Sequence, residues 1–118
     1  MKRIVFLIFV TFLFYKMVAR IFYSTGNGFW NNTSTWSCSG GPTCGDTIII
    51  QAGHTVTVST QHNYYASCPT NSASTMLMIV TGTLKFDAGN KINFPCGSQV
   101  FVTSTGQIQK GTGSEIQI

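Results

Sequence analysis

Acidic side chains are nearly missing from this sequence: Asp46, Asp87 and Glu115 are the only three in 118 residues. A glycosidase of the usual kind needs two carboxylates across one bond, and these three lie far apart with no acidic neighbour to tune a pKa. Calcium needs several oxygen ligands converging on one point, and no acidic cluster is present to supply them. Histidine is equally scarce. His54 and His62 have no Ser or Cys nucleophile in a recognisable setting, and no C-x2-C or H-x3-H spacing suggests zinc. A helical period is also lacking after residue 23, so no glycine loop opens a helix to cradle phosphate. The expectation is a chain without catalytic residues, metal or cofactor.

An unbroken membrane-length run is absent too. Ile4 to Tyr15 is apolar apart from Thr11, but Lys16 and Arg20 interrupt any extension to the roughly 20 residues a spanning helix requires. Lys2 and Arg3 ahead of a short apolar run, with Ala19 as a small residue after it, have the layout of a secretion signal. Residues 1–20 are therefore expected to be a signal peptide cleaved between residues 19 and 24, with retention as an N-terminal membrane anchor the alternative. The expected location is secreted or cell-surface. Four of the seven basic residues belong to this segment, which leaves Lys85, Lys91 and Lys110 against the three acids. The remaining domain carries no net charge and no electrostatic footprint for nucleic acid. With charged residues at 8% of the chain, its surface must be built from hydroxyls and amides.

Cys38, Cys44, Cys68 and Cys96 all lie beyond the signal. An even number in an exported chain argues for two disulfides. Three connectivities are possible. Cys38–Cys44 with Cys68–Cys96 is favoured because Ser39 to Thr43 (SGGPT) has tight-turn composition.

Apolar residues alternate with polar ones in short runs bounded by Gly, Pro, Asn or Ser: Ile48 and Ile50, Val56 and Val58, Leu77 and Ile79, Leu84 and Phe86, Ile92 and Phe94, Val100 and Val102, Ile108, then Ile116 and Ile118. Side chains two apart share one face of a strand. The runs recur at steps of seven or eight residues with Gly82, Gly89, Gly97, Gly106 and Gly113 between them. That rhythm predicts an all-β domain over residues 21–118, built as a parallel β-helix or solenoid, with an antiparallel β-sandwich as the alternative. Residues 59–75 break the rhythm and predict a loop pinned by a disulfide. Ser24 to Gly45, with both tryptophans, predicts an irregular disulfide-closed cap over the first coil. Glu115 to Ile118 reads as the start of a further strand, so the domain is expected to be incomplete at its C-terminus. Further coils or a protein partner would then meet that edge.

The order G-F-W-N (Gly28 to Asn31), T-W-S (Thr35 to Ser37), G-P (Gly41, Pro42), G-D-T-I-I-I (Gly45 to Ile50), A-G-H-T-V-T-V (Ala52 to Val58) and T-G-T-L-K-F (Thr81 to Phe86) resembles the extracellular domain family named for its eight glycines. The likeness is to the form that opens secreted surface proteins of Bacteroidetes. It covers about Tyr23 to Phe86 and, more loosely, the rest. The resemblance implies export, a β-helical or sandwich-like segment followed by more coils, and extracellular ligand binding with polysaccharide a candidate.

Trp30 and Trp36 are candidate residues for stacking on a sugar or for packing over the first coil. Gly45, Asp46 and Gly53 are expected to be structural, with the Asp46 carboxylate accepting a turn hydrogen bond. Two function classes follow. One is a non-catalytic capping, adhesive or ligand-binding module; the other is the opening part of a larger carbohydrate-active β-helix enzyme.

Overall fold

The computed structural model describes residues 19–118, so the expected signal over residues 1–20 lies, apart from its last two positions, outside the described residues. Eleven strands follow: β1 (Ile21–Tyr23), β2 (Gly28–Phe29), β3 (Thr47–Ile50), β4 (Thr55–Val58), β5 (His62–Asn63), β6 (Leu77–Val80), β7 (Thr83–Phe86), β8 (Lys91–Asn93), β9 (Gln99–Val102), β10 (Gln107–Gln109) and β11 (Glu115–Gln117). They form three sheets, ordered β1-β3-β6-β9, β10-β7-β4-β2 and β11-β8-β5. Every pair of these strands runs parallel, which removes the antiparallel sandwich. A parallel neighbour needs a crossover of about a dozen residues or more. Here strands of the other sheets fill that crossover, so β3, β4 and β5 make one circuit, β6, β7 and β8 the next, and β9, β10 and β11 the last.

Register turns each circuit's inward residues into ladders. Phe22 pairs with Ile48, Ile48 with Met78 and Met78 with Val100; Val56 pairs with Leu84 and Leu84 with Ile108. Phe22, Ile48, Met78, Val56 and Leu84 are fully buried, while Val100, Ile108 and Ile116 are only partly covered. The expected phase of one strand is corrected. Met78 and Val80 face the core, and Leu77 and Ile79 face outward with Tyr23, Ile49 and Phe101. Four consecutive apolar residues satisfy either phase, and the in-register partners Ile48 and Ile50 decide between them.

The interval 59–75 is partly regular. It contributes β5 to the third sheet and then a single helical turn, α1 (Tyr64–Ser67), which Asn63 caps by accepting from Ala66 N at 3.1 Å.

The disulfide connectivity is also corrected. Cys44 bonds Cys68, with Cα atoms 5.6 Å apart, and Cys38 and Cys96 are free thiols. Neither Cys38–Cys44 nor Cys68–Cys96 is formed. The spacer from Ser39 to Thr43 does turn, with Gly40 and Gly41 both at positive φ, but the turn does not join the two thiols it separates. The Cys38 thiol stays beside β1, 3.5 Å from Ile21 O, whereas Gly45 N donates to Ser74 O at 3.1 Å and brings Cys44 beneath the α1 loop. Parallel stacking thus joins residues a whole circuit apart, a closeness that spacing along the chain does not reveal.

Candidate functional site

Trp30 directly follows β2 and turns into the core, leaving 2% of its surface exposed. Its indole Nε1 donates to Tyr64 Oη at 2.9 Å. Trp36 packs edge-on against it with ring centroids 5.2 Å apart, and its own Nε1 donates to Trp30 O at 2.8 Å. Both indole N–H groups are therefore satisfied inside the protein, as buried tryptophan requires. Neither ring offers a free face to solvent.

β5 points His62 inward, in register with Ile92. Its ring stacks on Tyr64 at 6.0 Å and lies 5.8 Å from Trp30, while Tyr64 stacks in turn on Phe94 at 6.1 Å. The result is an aromatic column, Trp30–His62–Tyr64–Phe94, spanning successive circuits. The sequence reading missed His62, Tyr64 and Phe94 as one unit. The His62-Asn63-Tyr64 alternation was the available signal, masked by its polar surroundings.

One side of the column borders a cavity of about 230 Å³, completed by Asn31, Asn32, Gly40 and Pro42. Asn32 is committed to holding its loop, accepting from Ser34 N at 3.1 Å and Ser34 Oγ at 2.9 Å. Asn31 is exposed. Burial lowers the His62 pKa, so the imidazole is neutral at pH 7. Burial also raises the Tyr64 pKa, against a smaller opposing effect of the Trp30 hydrogen bond. No lining residue is acidic or basic apart from the neutral His62. Such an uncharged lining of ring edges and amides suits a neutral, hydroxyl-rich ligand.

No protein-family model, curated protein or solved structure matches the chain. What the cavity can bind is set by its own lining.

The remaining sequence-level candidates sit elsewhere. Asp46 is buried; its Oδ1 accepts from Arg20 N at 3.0 Å and its Oδ2 from Thr43 N at 2.9 Å, with the Arg20 guanidinium 3.8 Å away. Gly45 leads into Asp46 with φ of 80°, and an added Cβ would lie 2.5 Å from Ala73 O. Gly53 takes φ of 81° in the turn between β3 and β4, with open space around it. Asp87 is exposed, and Glu115 pairs with Lys91 at 3.0 Å. His54 is 2.8 Å from Ser24 Oγ. Among the described residues, no three His, Cys, Asp or Glu side chains gather where a metal could sit.

Proposed function

We propose that residues 21–118 are a non-catalytic, secreted or cell-surface β-solenoid module that binds a neutral extracellular polysaccharide. Its aromatic N-terminal part acts as the cap. Further coils or a protein partner meet β9, β10 and β11. The neutral cavity beside the Trp30–His62–Tyr64–Phe94 column carries the ligand assignment, because it combines apolar ring surface with amide groups and excludes charge. The three-sheet parallel circuits support the solenoid. Supporting export are the basic-apolar N-terminus, the Cys44–Cys68 bond, which is typical of oxidising compartments, and the motifs resembling the eight-glycine family.

The test is calorimetric titration of the protein with neutral and anionic oligosaccharides. Neutral chains bind with Kd of about 1 μM to 1 mM, about −8 to −4 kcal/mol, and anionic chains show no preference. Asn31→Ala weakens binding about tenfold, close to the loss of one hydrogen bond, and leaves the melting temperature unchanged because Asn31 is exposed. Absence of binding at millimolar neutral glycan overturns the ligand assignment. Appearance of new reducing ends would move the protein to the carbohydrate-active enzyme class.

A further inference from the structure

All four cysteines lie along the margin where the strands of the first sheet begin, Cys38 beside Ile21 of β1. Cys44-Gly45-Asp46 leads into β3, and Cys96-Gly97-Ser98 leads into β9. The two approaches are the same turn. Asp46 N donates to Thr43 O and Ser98 N to Pro95 O, each at 3.1 Å. Gly45 and Gly97 both adopt the left-handed region, at φ 80° and 86°, and Asp46 and Ser98 are both buried. β6 lies between β3 and β9, with Leu77 in register with Thr47 on one side and Gln99 on the other. The loop ahead of β6 carries Cys68. Cys68 thus has an equivalent cysteine turn on each side of it, and it is bonded to only one. Cys96 is exposed, and both Cys68 and Cys96 line a cavity of about 470 Å³ together with Tyr65, Pro69 and Pro95.

We propose that the disulfide migrates between these two positions by intramolecular exchange. Cys96, having released its proton to water, attacks Cys68 Sγ as the thiolate. A Cys68–Cys96 bond forms as the Cys44–Cys68 bond breaks, and the electron pair leaves on the Cys44 sulfur, which takes up a proton. One disulfide and one thiol stand on each side of the reaction, so no oxidant or reductant is consumed. In the first form the α1 loop is stapled toward β3 and the 470 Å³ cavity is open. In the second it is stapled toward β9, which draws the two walls of that cavity together. This cavity is separate from the one assigned to polysaccharide, so the proposal goes beyond that assignment.

The experiment follows the label of an alkylating reagent on the full oxidised chain. Protein is held without added thiol at about pH 8.5, where an ordinary free thiol is about half ionised. It is then quenched in acid, alkylated and mapped as non-reduced peptides. The expected result is transfer of label from Cys96 to Cys44 in a growing fraction of molecules, at a rate independent of protein concentration, with Cys38 labelled throughout. Cys96→Ser abolishes labelling of Cys44. Cys44→Ser, oxidised with glutathione disulfide, yields Cys68–Cys96. Label that stays on Cys96 in the unaltered protein overturns the proposal whatever Cys44→Ser does, and so does transfer whose rate rises in proportion to protein concentration.

Discussion

His62 and Tyr64 show how burial selects a charge state one side chain at a time. Desolvation disfavours the charged form of each, lowering the histidine pKa and raising that of tyrosine. Released from the fold, His62 binds a proton near pH 6.5; inside it the proton binds only at lower pH. The unfolded state therefore holds more protons over that interval, and stability falls as pH drops below about 6.5, levelling off beneath the folded pKa. Tyr64 acts at the other extreme. Above about pH 10 the unfolded phenol ionises while the folded one stays protonated, so stability falls again. Urea unfolding between pH 5 and 7 should show the acid limb, and His62→Phe should flatten it. An equal slope in that variant would place the limb on another group.

Within a strand, the deciding quantity is phase. β3 and β4 (burial alternating along TIII and TVTV) have the inward set that their sequences suggest. β6 does not, because LMIV is apolar at every position and its alternation carries no information. A shift of one residue would exchange the whole inward set for the outward one. Met78→Ala should cost about 2–5 kcal/mol, the usual range for a truncated core residue, while Ile79→Thr on the outer face should cost about 0.5 kcal/mol. Chemical denaturation of the two variants checks this, and the reverse order of costs would mean that β6 sits in the opposite phase. The connectivity of Cys44 has a related origin. Its partner was hidden because crossover loops of successive circuits approach in space at separations that composition does not mark.

At the scale of the molecule, the three sheets add their strands in the same chain order. β9, β10 and β11 are the edge strands on one side of the stack, and their inward residues Val100, Ile108 and Ile116 are only partly covered. Val102 is 47% exposed although its partner Val80 is fully buried. Edge strands present unpaired backbone groups that template another strand, and each uncovered aliphatic side chain forgoes part of the roughly 1.5–3 kcal/mol of full burial. The oxidised protein should accordingly associate at micromolar concentration in light scattering, and Val102→Lys should shift the association to higher concentration. A monomer with sharp cooperative unfolding in the unaltered protein would show that this end closes without a partner.

The all-β class was legible in the sequence, because two-residue alternation punctuated by glycine is a local property of strands. Most inward residues were legible for the same reason, among them Ile48, Val56, Leu84, Phe86 and Ile92. The scarcity of acids, which leaves the cavity lining to rings and amides, is likewise a matter of composition. Tertiary structure alone decided the phase of β6, the Cys44–Cys68 bond and the joining of Trp30, His62, Tyr64 and Phe94 into one column. Each of these depends on which circuit lies beside which, and parallel pairing sets that by matching whole strands in register, across intervals where the intervening sequence carries no trace of its eventual neighbour.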